Sequence, residues 1–165
     1  MPPQPANKTV ALANSTTEYV VRFRLPLLEA LRARGLEPVV VAPTDAFVSD
    51  LEAAGFAHWP IRLQGASTGP VAELTALRDI HSAYRQINPL LALHFTPKVD
   101  IYGGLVARKL GVPFINNLSG MGTAITRGGW LGATVNGLLR ASQRQAAHVF
   151  VQNADDRAHV LTHRI

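Results

Sequence analysis

The chain has 165 residues, 47% of them hydrophobic and 16% charged, which fits one globular domain with a real core and excludes a disordered segment. It has no cysteine, which excludes disulfides and thiolate metal sites and is compatible with the cytosol. The net charge is +5, with thirteen arginines against three lysines, so phosphate-bearing small molecules or an anionic membrane surface are natural partners.

Nucleic acid is not an expected partner, because the basic residues are scattered and only three tyrosines are present to stack on bases. No apolar run reaches the roughly 18 residues that a spanning helix needs. The opening MPPQPANKTV has neither a basic n-region nor an apolar h-region, so no secretory signal is expected.

In chain order, residues 1–7 read as a loose Pro-rich tail and 8–165 as one domain. KTVALAN, from Lys8 to Asn14, predicts a buried strand, and STTEYVVRF a loop after it. From Arg24 to Arg34 the spacing of Leu25, Leu28 and Leu31 predicts an amphipathic helix that stops at Gly35. Pro38 to Pro43 is β-branched at its centre and predicts a second strand. DAFVSDLEAAG predicts a helix that Asp45 can cap and Gly55 ends. AHWPIRL predicts a third, weaker strand, and QGASTG a loop into a helix from about Pro70 to Ile87.

The alternation then repeats. PLLALHF predicts a strand, and PKVDIYGGLVARKLG a helix with proline in its first turn. PFINN predicts a strand, LSGMGTAITRGG a loop, WLGATVNGLLRASQRQAA a helix, HVFVQN a strand and ADDRAHVLTHRI a final helix. Strands alternating with helices predict an α/β domain, a doubly wound parallel sheet of Rossmann-like form. In such sheets ligands bind beyond the carboxyl ends of the strands. The loops after Asn14, Pro43, His94, Asn117 and Asn153 are therefore where a site is expected.

At the fourth strand end, HFTPK places His94 at that rim, with Thr96 as an N-cap, Pro97 as the first helical residue and Lys98 as a cation beside it. A functional site and ordinary capping explain this turn equally well from the residues alone. Tyr102, Gly103 and Gly104 read as packing, since each mid-helix glycine costs about 1 kcal/mol against alanine. Ser119, Gly120, Met121 and Gly122 form a turn whose N–H groups can approach a phosphate or sugar. It is not a G-x-G-x-x-G fingerprint, and no P-loop occurs.

Glu18, Tyr19, Arg22 and Arg24 can hydrogen-bond a polar or phosphorylated ligand. Cations at a helix start oppose the helix dipole, which favours a functional role for the two arginines. His159 and His163 are one helical turn apart but lack the H-E-x-x-H glutamate and a third ligand, so a surface pair is expected and no metal. Trp130, Leu131, Val135, Leu138, Leu139 and Ala146 share a helix side beside Arg127, Arg140 and Arg144. Sheet packing explains that side, and its Trp130 end is where lipid contact is expected, if any.

Three separated stretches, VRFRLPLLEALRARGLEPVVVAP, HFTPKVDIYGGLVARKLGVPFINNLSGMG and VFVQNADDR, resemble the amino-terminal domain of family 4 retaining glycosyltransferases. The nearest flavour is the bacterial group acting on polyprenyl-diphosphate-linked glycans. The resemblance runs from about Val10 to Arg157 and implies the amino-terminal half of a GT-B fold, with the active site in a cleft between two Rossmann-like halves.

It further implies acceptor binding by Glu18, Tyr19, Arg22, Arg24, Thr96 and Lys98, with Arg22, Arg24 and Lys98 on a diphosphate and His94 as the candidate catalytic residue. Ser119, Gly120, Met121, Gly122 and Asn153 would face the donor phosphates or the reacting sugar. The implied co-substrate is a nucleotide-sugar, with no metal or other cofactor, and the acceptor is lipid-linked or a glycan. The implied location is the cytoplasm, with peripheral contact at the inner face of the cell membrane.

Two departures stand out. Where many members carry a histidine after the strand matching PFINN, this sequence has Leu118-Ser119-Gly120. The acidic E-x7-E-type motif of the donor half is not found before Ile165, so this chain alone is expected to be inactive and to associate through its unpartnered face. Two alternatives stay open: a non-catalytic acceptor-binding or membrane-recruiting subunit of a split enzyme, and half of a GT-B-like nucleotide-sugar epimerase.

Overall fold

The computed structural model describes residues 7–63, 69–119 and 130–165, the side chains of 130–132 excepted. Six strands, β1 (Thr9–Ala13), β2 (Glu37–Ala42), β3 (Ala57–Pro60), β4 (Leu91–Phe95), β5 (Phe114–Leu118) and β6 (His148–Val151), form one sheet in the order β3-β2-β1-β4-β5-β6. Every pairing is parallel, as strands joined through helical crossovers must be. The helices are α1 (Thr17–Phe23), α2 (Leu25–Ala33), α3 (Val48–Ala53), α4 (Pro70–Ile87), α5 (Pro97–Leu110), α6 (Trp130–Gln143) and α7 (Ala154–Thr162). This is the doubly wound, Rossmann-like α/β fold that the alternation predicts.

The central strands are apolar on both faces because both faces are covered. On one, Val10, Leu12, Val40, Leu93 and Phe95 pack with Val20, Leu28 and Leu51 of α1, α2 and α3. On the other, Ala11, Ala13 and Ala92 leave room for α4 and α5, which fill it with Ile80, Tyr84, Val99 and Val106. A smaller group around Leu118 and Leu139 ties α5 and α6 to β5.

Two local expectations change. STTEYVVRF is not a loop, since residues 17–23 are helical. Thr16 Oγ accepts from the Tyr19 N–H at 3.1 Å, and Asp45 Oδ2 accepts from the Thr17 and Glu18 N–H groups at 2.8 and 3.0 Å. A cap of this kind is worth about 1 kcal/mol, and a carboxylate on the positive end of the dipole adds to it. Asp45 thus caps α1 from 28 residues away in sequence. Toward α3 its Oδ1 accepts from the Phe47 N–H at 3.0 Å and its backbone carbonyl from the Val48 N–H at 3.3 Å, and the N-cap of α3 is Phe47. The helix expected to reach Ala147 ends at Gln143, and the Ala147 N–H bonds to the Phe114 carbonyl as β6 begins.

Candidate functional site

After β1 the chain crosses to one face of the sheet, and after β4 it crosses to the other, so the connections diverge between these neighbouring strands. Beyond their carboxyl ends lies a cleft of about 490 Å³, lined by Asn14, Tyr19, Phe23, Arg24, Phe95, Thr96, Ser119 and Gln152. It occupies the topological switch point, where open α/β sheets bind ligands.

Helix α1 supplies one wall. Its capped start is fixed further by Thr17 Oγ, which donates to the Pro43 carbonyl at 2.8 Å. Tyr19 and Phe23, one turn apart, then stand at the mouth with rings 5.8 Å apart, 48% and 60% exposed. Arg24, between α1 and α2, lays its guanidinium over the Phe95 ring at 4.4 Å from the centroid. Partial burial lowers its pKa from the ordinary value, and it remains a cation at neutral pH. No carboxylate is present among the described lining residues.

The other expected cations point elsewhere. Arg22 is paired with Glu18 at 2.8 Å and stacked on Phe47, away from the cleft lining. Lys98 pairs with Glu73 of α4 at 2.9 Å, and the Tyr102 hydroxyl donates to the same carboxylate. The structure therefore brings together Tyr19, Arg24, Thr96 and Ser119, and leaves Glu18, Arg22 and Lys98 out of the lining.

Thr96 takes the N-cap position of α5, as expected, but its side chain makes no capping bond. Its φ of +85° with ψ of 139° lies in territory that is essentially glycine's. Its buried hydroxyl has no hydrogen-bond partner. Strain and an unsatisfied polar atom therefore meet at one residue on the cleft lining.

His94 is not at the rim. Although β4 ends at Phe95, the pleat turns His94 under the sheet, where it is fully buried. Its Nδ1 lies 2.6 Å from Asn116 Oδ1 and its Nε2 lies 2.8 Å from the Tyr84 hydroxyl. The Asn116 amide nitrogen donates to Gln143 Oε1 and to the Asp100 carbonyl. Asn116 Oδ1 must then be the acceptor, so Nδ1 of His94 carries the proton and Tyr84 donates to Nε2.

Burial pulls the His94 pKa down to about 4, against a smaller upward pull from Asn116. It is neutral at physiological pH and has no surface on which to meet a substrate. The catalytic expectation for His94 is replaced by a core role. Next to this network, Asp100 is also fully buried with neither carboxyl oxygen hydrogen-bonded. Burial pushes its pKa well above the carboxylate range, against a weaker pull from the Asn117 backbone.

Asn153 is spent on structure, its Oδ1 accepting from the Asp156 N–H at 2.8 Å as the N-cap of α7. Gly120, Met121 and Gly122 lie outside the described residues, as does the Trp130 side chain. His159 and His163 stack at 3.9 Å, and no group of three potential metal ligands occurs among the described residues. Sequence reasoning missed Asn14, Phe23, Phe95 and Gln152. The first and last of these were legible as strand-end residues, and the two phenylalanines could pass only as core.

Residues 20–165 match a family described as the glycosyl transferase 4-like domain. The chain belongs to this family. No curated protein matches the sequence. Among solved structures, MurG of Acinetobacter baumannii aligns with a TM-score of 0.61 at 21% identity, covering 87% of this chain and 41% of that one. Alr3699/HepE of Anabaena, in complex with UDP and glucose, gives 0.67 at 14%, covering 95% and 41%. The UDP-GlcNAc 2-epimerase of Methanocaldococcus jannaschii gives 0.66 at 13%, covering 95% and 43%. This glycosyl transferase 4-like domain thus spans well under half the length of each of the three, and at these identities the likeness is one of fold. The fold is that of the amino-terminal, Rossmann-like half of a GT-B protein.

Proposed function

We propose that this domain is the acceptor-binding half of a retaining, family 4 glycosyltransferase. Its co-substrate is a nucleotide-sugar, needing no metal, and its acceptor is a polysaccharide or a glycan carried on polyprenyl diphosphate. The observation that carries the reading is Arg24, a half-buried guanidinium at the switch point, stacked on Phe95 and facing a cleft without a described carboxylate. A diphosphate would supply the counter-charge in bidentate form. The exposed Tyr19 and Phe23 rings beside it suit the first isoprene units. Ser119 and Gln152 offer neutral polar contacts for the reacting end. The described lining residues supply position and charge, and in the retaining chemistry that the family resemblance implies the donor's leaving diphosphate accepts the proton.

Membrane contact at the cytoplasmic face belongs to the same proposal. It is supported by the face shared by α4 and α5, where Leu74, Leu77 and Leu105 form a groove flanked by Arg78, His81 and Lys109. A basic rim around the exposed Leu74 and the half-buried Leu77 and Leu105 suits an anionic bilayer. No helix among the described residues is long and apolar enough to cross a membrane.

The test is calorimetric titration of the chain with geranylgeranyl diphosphate, which should bind, and bind at least tenfold more weakly to Arg24→Gln. Equal affinity of the two proteins would remove the cleft from acceptor binding. The chain alone, given UDP-sugars and a lipid-linked acceptor, should show no transfer, and transfer would refute the half-site reading. Because an epimerase shares the fold, UDP-GlcNAc is included without acceptor, and its conversion by the complete protein would favour that alternative. A second polypeptide that restores transfer would favour the split-enzyme alternative.

A further inference from the structure

We propose that the groove along the β3 edge is a carbohydrate subsite that holds a sugar of the acceptor away from its reacting end. The proposal rests on the acceptor-binding reading and narrows it to acceptors longer than one sugar.

The groove has a volume of about 620 Å³, and its lining includes Thr44, Trp59, Pro60, Arg62, Asp79 and Ser82. Trp59, on the edge strand β3 and half-buried against the core under α4, supplies the groove's aromatic surface, and Pro60 lines it too. On the same lining, Arg62, its side chain 77% exposed, pairs with Asp79 of α4. Its Nε reaches Oδ2 at 2.8 Å and its terminal nitrogen reaches Oδ1 at 2.7 Å, while the Arg62 backbone N–H also donates to Oδ2 at 2.8 Å. The hydrogen bond from Arg62 holds the Asp79 carboxyl below its ordinary pKa, so the pair stays charged.

A carboxylate has about four lone-pair positions and a guanidinium five N–H donors. The observed bonds use three of the former and two of the latter. One acceptor position on Asp79 and three donors on Arg62 are left unused by the pair. Ser82 Oγ accepts from Gln86 at 2.9 Å, which leaves its own O–H to donate.

An aromatic side chain lining the same groove as unused donor and acceptor positions suits a pyranose, whose C–H face is apolar and whose neighbouring hydroxyls both give and accept hydrogen bonds. A purely apolar ligand would leave these positions unmet, and a phosphate would meet the Asp79 charge. The groove and the cleft both lie beyond the carboxyl ends of the strands, and the Pro43 carbonyl on the groove lining accepts from Thr17 of α1, the helix that ends at the cleft with Phe23 and Arg24. Two to three strand spacings separate β3 from the β1–β4 junction, about 10–15 Å, more than one sugar ring spans.

Trp59 and Trp130 are the two tryptophans of the chain, so Trp130→Phe makes Trp59 the sole indole reporter. That protein is titrated with maltose, cellobiose and N,N′-diacetylchitobiose and with their tetrasaccharides. At least one should shift Trp59 emission saturably, with the tetrasaccharide bound more tightly than the disaccharide. Asp79→Asn and Arg62→Gln in the same background should each weaken it tenfold or more, with thermal melts confirming that both remain folded. No saturable shift with any of the six sugars overturns the proposal, and so does binding indifferent to both substitutions. Loss of the sugar response with geranylgeranyl diphosphate binding intact removes this subsite and leaves the proposed function standing. Sugar binding without diphosphate binding does the reverse.

Discussion

A β-carbon added at Gly103 would lie 2.6 Å from His94 Nε2, 2.7 Å from Cδ2 and 3.0 Å from Cε1. Real β-carbons do not come this close to a neighbour, so in Gly103→Ala either α5 lifts or the imidazole turns. The ring is held between Tyr84 and Asn116 and tilted against Phe114, so turning it breaks buried hydrogen bonds. Overpacking costs about 1–3 kcal/mol, and each buried polar group left unmet costs about 1–3 kcal/mol. Alanine returns about 1 kcal/mol of helix propensity. The net expectation is a destabilisation of about 2–4 kcal/mol.

Urea unfolding measures it. With a slope of about 1–3 kcal/mol per molar, the midpoint should fall by roughly 1–2 M. Two comparisons isolate the cause. Gly137→Ala, on an exposed helical site with nothing within 4 Å of the new carbon, should stabilise by up to about 1 kcal/mol. Gly103→Ala placed in a His94→Ala background should lose most of its penalty, giving a coupling energy of about 1–3 kcal/mol. A Gly103→Ala protein as stable as wild type, or a penalty unchanged when His94 is absent, would refute the close-packing argument.

Stability should depend on pH through the same network. His94 titrates near 6.5 when unfolded and at about 4 when folded, so the unfolded chain binds the extra proton as pH falls through that window. Its contribution is intact above about pH 6.5 and is lost toward pH 4, about 3 kcal/mol in all, and His94→Leu should flatten that slope in acid urea titrations. Asp100 has the opposite sign: its folded pKa is raised, so its contribution is lost as pH rises through the folded value. Asp100→Asn should remove that loss with rising pH, and an unchanged pH–stability curve would sink the assignment. Thr96→Gly should raise stability by about 1–2 kcal/mol, because it relieves a positive-φ threonine worth about 1–3 kcal/mol and deletes an unmet hydroxyl. A lower melting temperature for that variant would contradict it.

The order of elements was written in the chain. Apolar runs such as VALA and VVVA, separated by helical periodicity and closed by Gly35 and Gly111, require a parallel sheet covered on both faces, because only that arrangement buries them twice over. The rim of strand ends followed from the same pattern, and with it Arg24, Thr96 and Ser119 as neighbours of a cleft. Burial and direction were not legible. Phe95 and His94 are adjacent in sequence, and the two-residue period of a strand sends one to the cleft side and the other into the α4–α5 face. A shift of one residue in where β4 begins to pair would exchange them.

Helix α1 was hidden for a related reason. Its cap comes in part from Asp45 beyond β2, so the local sequence, with two adjacent valines, reads as a loop until the distant carboxylate is in place. Charge pairing followed the same logic: Arg22, Arg24 and Lys98 read alike in the sequence. The packing of α1, α4 and α5 gave Arg22 to Glu18 and Lys98 to Glu73, and left Arg24 on an aromatic ring facing the cleft. Periodicity is a property of neighbours along the chain, and it settles which segments form and pair. Which side chain meets which partner depends on atoms brought together from across the sheet, and that was decided only by the folded structure.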